Sequence, residues 1–240
     1  MKVRADVLVH QRGLAESRAK AQALILAGSV VAGDHRVEKP GQLLDSEVEL
    51  RVKEGLKYVS RGGLKLEHAL DHFGLDPAGR VCVDLGASTG GFTDVLLQRG
   101  AARVHAVDVG RGQLHEKLRN DPRVVQHERV NARELSLGEP CDAGVADLSF
   151  ISLKLVLPAL AAALRPRGVW LAVLVKPQFE AGRAEVGKGG VVRDPAVHER
   201  VVREIEAELA RLGFAGLGST PSPVLGPAGN REFLVAARRD

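Results

Sequence analysis

Four charged residues, far apart in a chain of 240, stand where hydrophobic runs begin or end. Lys65 lies in SRGGLKLEHAL, Asp147 in VADLSF, Lys176 in LVKPQFE and Glu232 in GNREFLV. Two ammonium groups and two carboxylates form a neutral set, and charge leaves water cheaply only when it is paired. A lysine beside a second cation releases its proton more readily and becomes a base at neutral pH. Such a set suits deprotonation of a weakly acidic hydroxyl as it attacks an electrophile. In that chemistry Lys176 takes the proton, Asp147 orients it, and Lys65 and Glu232 hold the substrate and the network. Each residue alone is better read as a surface or salt-bridge residue. Four at strand ends of one fold are better read as a site.

The stretch VDLGASTGGFTDVLLQRG (83–100) places a glycine-rich turn between an apolar run and a helix-like pattern. A dinucleotide site wants G-x-G-x-x-G, so that backbone can approach a pyrophosphate. Ser88 occupies the middle glycine position, which argues against a nicotinamide enzyme. An acid before the turn (Asp84), small residues through it (Gly86, Ala87, Ser88, Gly90, Gly91, then Phe92) and an acid closing the next strand (Asp108) fit S-adenosylmethionine instead. Glycines give access to its methionyl part, and a strand-end carboxylate can accept both ribose hydroxyls. Asn131, after the third strand, is placed to cap the adenine edge. The bland alternative is that Gly90 and Gly91 only allow close helix–strand packing.

These residues must be positioned by two pieces of chain. Residues 1–54 read as a small unit: a helix over 14–28 with Gly28 as its C-cap, a hairpin across Gly33 and Asp34, and an alternating strand in SEVELRV. Residues 55–59 read as a linker. From residue 60 to 240 strands and helices alternate, which implies right-handed crossovers and a largely parallel, doubly wound sheet. The strands are RVCVDLG, RVHAVDVG, RVVQHERV, DAGVADLS, GVWLAVLVK, GSTPSPV and REFLVAAR; the helices are expected near 64–73, 92–99, 112–119, 151–164 and 194–212.

With 45% hydrophobic residues the chain can bury a real core, and a net charge of +4 permits a polyanionic partner without requiring one. Arg4, Arg12, Arg18 and Lys20 gather near the first helix, and Arg61 precedes Lys65; they read as RNA contacts or as a solvated face. Cys82 and Cys141, the two cysteines, lie in apolar segments and suit a reducing cytoplasm. The longest apolar runs are too short to span a bilayer, Pro158 interrupting one of them. No metal-ligand spacing occurs. The glycine-rich loop over 180–194 either closes over a substrate or is an ordinary mobile loop.

Taken together, YVSRGGLKLEHAL, VDLGASTGGFTDVLLQRGA, LRNDPRVV, ADLSFISL, LVKPQFE, VGKGGVVRDP and GPAGNREF resemble the TlyA family of ribosomal RNA methyltransferases over nearly the whole chain. The resemblance implies a Rossmann-like class I S-adenosylmethionine-dependent methyltransferase domain of FtsJ-like type, preceded by a small α+β S4-type RNA-binding domain. It implies 2′-O-methylation of a cytidine ribose in ribosomal RNA, of the large subunit for short members, with a Lys-Asp-Lys-Glu tetrad on Lys65, Asp147, Lys176 and Glu232. The junction reads LKYV where the family has an Arg-Ala-Trp-Val form. The family is also called haemolysin, so a membrane-lytic protein is one alternative and a non-catalytic ribosome-binding factor another. The sequence offers no spanning segment for the first, and its intact turn and tetrad count against the second.

Overall fold

The computed structural model describes residues 1–26, 28–52, 57–226 and 228–240 and divides into two compact units, Met1–Lys57 and Tyr58–Asp240. In the first unit β1 (Lys2–Arg4) runs directly into α1 (Ala5–Gln11), followed by α2 (Arg18–Leu26), β2 (Val30–Ala32), β3 (His35–Arg36), β4 (Leu43–Asp45) and β5 (Leu50–Val52). The hairpin across Gly33 and Asp34 is present, with Ala32 opposite His35. SEVELRV contributes only its last three residues to a strand, β5, which pairs with β2. The helix expected from residue 14 starts at Arg18, because the Ser17 hydroxyl accepts the Lys20 N–H at 3.1 Å and so caps it there. The two helices and the strands close on an apolar centre of Ala5, Leu8, Val9, Ala21, Ile25, Val30 and Leu50.

One carboxylate sits among these apolar groups. Asp6 is fully buried and accepts from Arg4 at 3.0 Å, Arg18 at 2.9 Å and Gln22 at 2.8 Å. The Arg4 guanidinium holds its carboxyl well below the usual range, against the opposing effect of burial. Arg18 and Gln22, both on α2, therefore brace it against α1, while Arg4 holds Asp6 from the end of β1.

The second unit carries α3 (Gly62–Phe73), β6 (Val81–Leu85), α4 (Gly91–Gln98), β7 (Arg103–Asp108), α5 (Glu116–Arg119), β8 (Val124–Glu128), β9 (Ala143–Ala146), α6 (Leu157–Ala163), β10 (Val169–Val175), α7 (Pro177–Glu180), α8 (Pro195–Arg211), β11 (Ala215–Pro221) and β12 (Phe233–Arg239). Its seven-stranded sheet has the order β11-β12-β10-β9-β6-β7-β8. Strands β6 to β10 are parallel, and β12 is antiparallel to both β10 and β11. From β6 the chain winds outward through β7 to β8, then returns to β9 on the other side of β6. That reversal opens a crevice beyond the carboxyl ends of β6 and β9, where ligands of open α/β sheets settle.

Both faces of the sheet are covered. Val83, Leu85 and Val173 pack with α6 and α8 through Leu160, Val201 and Ile205, while Cys82, Val104 and Ala172 pack with α3 and α4 through Leu66, Val95 and Leu96. The helix expected over 151–164 is a 3-10 turn at Leu153–Leu155 followed by α6, with Pro158 in its first turn, where proline is tolerated. The helix expected over 112–119 shrinks to α5, because the Gly112 N–H is tied to Glu128 at 2.6 Å and His115 caps the Lys117 N–H. At the junction, Gly55 and Leu56 lie outside the described residues. Tyr58 is buried in the larger unit against Gly63, and the Val59 N–H donates to Asp94 at 2.9 Å.

Candidate active site

The four charged residues follow directly from this topology. Asp147 is the residue after β9, Lys176 the residue after β10 and Glu232 the residue before β12, while Lys65 lies in the first turn of α3. All four line one cavity of about 760 Å³. They form two ion pairs, Lys65 Nζ to Glu232 Oε2 and Lys176 Nζ to Asp147 Oδ1, each at 2.6 Å. The Ser149 hydroxyl accepts a hydrogen bond from Lys176 at 2.9 Å. Lys65, Lys176 and Glu232 are all buried, and the second Glu232 oxygen has no hydrogen-bond partner among the described residues. Two fixed lysines and a carboxylate with an unused oxygen suit proton handling at a hydroxyl.

The glycine turn shares this cavity. Gly86, Ala87, Ser88, Gly91 and Phe92 line it, with Gly86 in a left-handed conformation at φ +80°. Gly90 does not line it. A Cβ there would lie 2.2 Å from the Leu118 side chain, so Gly90 serves the packing of α4 on α5. Asp108 accepts the Ser88 N–H at 2.8 Å and the Gly110 N–H at 2.7 Å, and borders a small hollow next to the turn with Gln113, Gln126 and Glu128. Asn131 lines neither hollow; its side chain accepts the Arg133 N–H at 3.1 Å and caps the short turn Ala132–Glu134.

Asp84 lies under the turn rather than on its wall. It is wholly buried, accepts the Thr93 hydroxyl at 2.7 Å, and keeps one oxygen without a partner among the described residues. Burial pushes its carboxyl up to about 7, with the Asp147 and Asp108 charges adding and the Thr93 hydrogen bonds opposing. Below about pH 4 this group is protonated whether the chain is folded or not. Between there and about pH 7 the native chain keeps the proton and the unfolded chain releases it, so the stability Asp84 contributes is lost as pH rises through that window. Asp84→Asn mimics the protonated form. The melting temperature of the variant should therefore gain on the parent between pH 4 and pH 7; parallel curves would refute the burial argument.

The cationic residues divide. Arg61 is exposed and lines the cavity. Arg4 and Arg18 are committed to Asp6, although their side chains stay about half exposed. Arg12 donates to the Ser46 and Val48 carbonyls, and Lys20 is exposed. Sequence reasoning overlooked several lining residues. Ser149 stands two positions after Asp147, so the motif DLSF already carried it. Phe150 is 91% exposed in a chain with few aromatics, and its ring centroid lies 5.2 Å from that of Phe179. Asn230, 2% exposed, accepts the Val192 N–H at 3.0 Å and donates to the Gly190 carbonyl at 2.8 Å. It thereby fastens the loop around Gly189 and Gly190, which line the cavity, beside Glu232.

Residues 58–239 match the FtsJ-like methyltransferase family, and residues 3–50 match the S4 domain. The chain is 48% identical over 242 residues to a 16S/23S rRNA (cytidine-2′-O)-methyltransferase, TlyA, of Mycobacterium tuberculosis, covering 99% of this chain and 90% of that protein. It is 42% identical to Hemolysin A of Brachyspira hyodysenteriae, covering 97% of this chain and 98% of the other. A solved structure from Streptococcus thermophilus that bears a provisional hemolysin name superposes with a TM-score of 0.75 at 46% identity, covering 99% of this chain and 88% of that one. No helix among the described residues is long and apolar enough to cross a membrane. With a cavity of paired lysines and carboxylates at the switch point of its sheet and near-full-length likeness to these proteins, the chain belongs to the FtsJ-like methyltransferase family, within its S4-bearing TlyA group.

Proposed function

We propose that this protein transfers a methyl group from S-adenosylmethionine to the 2′-hydroxyl of a cytidine in ribosomal RNA, with large-subunit RNA as its target. The observation that carries the reading is the meeting of two lysine–carboxylate pairs beside the glycine turn in one cavity. A base for a ribose hydroxyl has to be a fixed, desolvated group, and Lys176 is fixed by both Asp147 and Ser149. The relative's name supplies the cytidine and, as one of two targets, the large-subunit RNA.

The residues present suit the cofactor. A Cβ on Gly91 would fall 2.4 Å from the Ser60 hydroxyl, which lines the same cavity, so only glycine leaves that part of the cradle unfilled. Gly86, Ala87, Ser88, Gly91 and Phe92 would hold the methionyl end, and Asp108 with its neighbouring hollow would take the ribose and adenine. When bound, S-adenosylmethionine supplies an electrophilic methyl group on a sulfonium. Lys176, once it has passed its own proton to Asp147 or to water and stands as the neutral amine, receives the 2′-hydroxyl proton; Asp147 and Ser149 hold Lys176 in place, and Lys65 with Glu232 orients the ribose. A ribose reaches a pocket of this kind only from a nucleotide turned out of its stack.

Residues 1–54 form the RNA-docking piece in this reading. Arg12, Lys20 and the outer faces of Arg4 and Arg18 meet phosphates, and Arg61 meets them at the cavity mouth. The protein acts in the cytoplasm, where its RNA is. Incubation with methyl-labelled S-adenosylmethionine and unmodified ribosomal subunits should yield 2′-O-methylcytidine in large-subunit RNA by nucleoside mass spectrometry. Label on a base, or none on RNA, overturns the reading. Lipid vesicles should keep an enclosed dye in the presence of the protein.

A further inference from the structure

The glycine-rich loop over 180–194 is exposed along most of its length, yet it is anchored at both ends. On its incoming side Glu185 accepts the Gly182 N–H at 2.8 Å, and one Arg200 nitrogen on α8 donates to both Glu185 oxygens, at 2.7 and 2.6 Å. On its outgoing side Val192 is sunk into the core, and its carbonyl accepts the His198 ring N–H at 2.9 Å. Between these anchors the chain reverses over 187–190. The Gly190 N–H returns to the Gly187 carbonyl and the Gly187 N–H to the Val191 carbonyl, each at 3.0 Å.

Gly189 and Gly190 sit at φ +80° and +75°, as so tight a reversal requires, and a Cβ on either would meet nothing within 4 Å. Both line the cavity, so bare backbone borders it there. Lys188, the one side chain at the tip, is exposed and forms no ion pair among the described residues. The four charges inside the cavity cancel in two pairs, so Lys188 adds an uncompensated cation at its rim. A single buried side chain sets where that cation stands. Asn230 accepts the Val192 N–H and donates to the Gly190 carbonyl, and truncating it would strand one donor and one acceptor. Its own carbonyl accepts the Gly226 N–H at 3.0 Å, a bond that does not depend on the side chain. A compact ammonium beside bare backbone, next to the proposed ribose site, suits an RNA phosphate.

We propose that Asn230 is a positioning residue that clasps the turn over 187–190 to the cavity rim and so presents Lys188 to a phosphate of the substrate strand. The inference rests on the RNA reading above. A lysine on a loose loop would give up side-chain and backbone freedom on meeting a phosphate; a clasped turn has already given up the backbone part.

The test measures methylation of unmodified large ribosomal subunits over a series of potassium chloride concentrations at fixed magnesium. Lys188→Ala should raise KM for RNA about fivefold and flatten the plot of log KM against log salt by about 0.7 to 0.9, the loss of one phosphate contact. The effect should fall on KM and not on kcat or cofactor affinity. Asn230→Ala should lose the same salt slope, and Lys188→Ala should add nothing in that background. Trypsin should cut after Lys188 slowly in the unaltered protein and quickly in Asn230→Ala. An unchanged slope, additive losses or rapid cleavage of the unaltered protein overturns the proposal. So does a fall in cofactor affinity with Lys188→Ala, which places the lysine on the cofactor, or a fall in kcat alone with Asn230→Ala, which places its effect on Glu232. If Asn230→Ala does not fold, Asn230→Ser keeps a buried hydroxyl that cannot span both partners, and the same outcomes decide. Methylation that Lys188→Ala leaves unchanged removes this proposal alone; an unaltered protein that leaves RNA unmethylated removes the RNA reading and the proposal with it.

Discussion

Lys176→Ala lowers the rate of methyl transfer at saturating substrates by about 10³-fold, the effect of losing a positioned general base, and leaves cofactor affinity intact. Lys176→Arg does not restore the rate, because a guanidinium stays protonated and cannot accept a proton. Arginine does keep the charge beside Asp147. Recovery in this variant would therefore show that Lys176 contributes charge alone, and would sink the base assignment. Single-turnover rates with bound RNA isolate the step. Lys65→Ala behaves differently, because its partner differs. The Glu232 side chain is wholly inaccessible, whereas that of Asp147 is 22% exposed. Water can take over at Asp147 after its lysine is removed, but not at Glu232. Breaking a buried pair costs about 3–5 kcal/mol, so Lys65→Ala should lower thermal stability clearly and Lys176→Ala only slightly. Equal melting temperatures for the two variants would contradict the burial difference.

Much of this site was legible in the sequence because a parallel sheet turns chain order into geometry. Once five strands alternate with helices, the residue after each strand must sit at one edge, so Asp147 and Lys176 converge however far apart they are in sequence. Glu232 is harder to place, since β12 runs antiparallel and brings its start, not its end, to that edge. The pattern of an acid entering a final apolar strand was enough. Asn131 shows the limit of the rule: strand-end position puts a residue near the edge, but its side chain found a nearer partner in the Arg133 N–H. The first unit was less legible. β1 and β4 have three residues each, too few for alternation to register, and they pair with one another across most of the unit. Charge counting placed Arg4 and Arg18 on the surface as free cations. It had no means of telling that Asp6, one of two acids in the first thirty residues, is the buried one that claims both.

The turn that joins β6 to α4 should be the least tolerant position in the larger unit, and Gly86→Ala is its sharpest probe. At φ +80° alanine already pays a conformational penalty. Its Cβ would then fall 2.4 Å from the Asp147 carbonyl oxygen and 3.0 Å from the Leu148 side chain. The closer atom is backbone at the end of β9, so no rotamer change relieves the clash. Either the turn or Asp147 must move, and moving Asp147 loosens the pair that holds Lys176. Gly86→Ala should therefore cost about 2 kcal/mol or more in stability, abolish measurable cofactor binding by calorimetry, and lower the transfer rate together with it. Gly90→Ala is the matched contrast. Its φ of +96° is as unfavourable, but its Cβ would meet the Leu118 and Leu114 side chains at 2.2 and 2.8 Å, and side chains can be trimmed. Leu118→Ala should recover part of the stability lost by Gly90→Ala, whereas the companion change Leu148→Ala should recover little of that lost by Gly86→Ala. Wild-type cofactor affinity in Gly86→Ala would mean that the contact between the turn and the end of β9 does not shape the site.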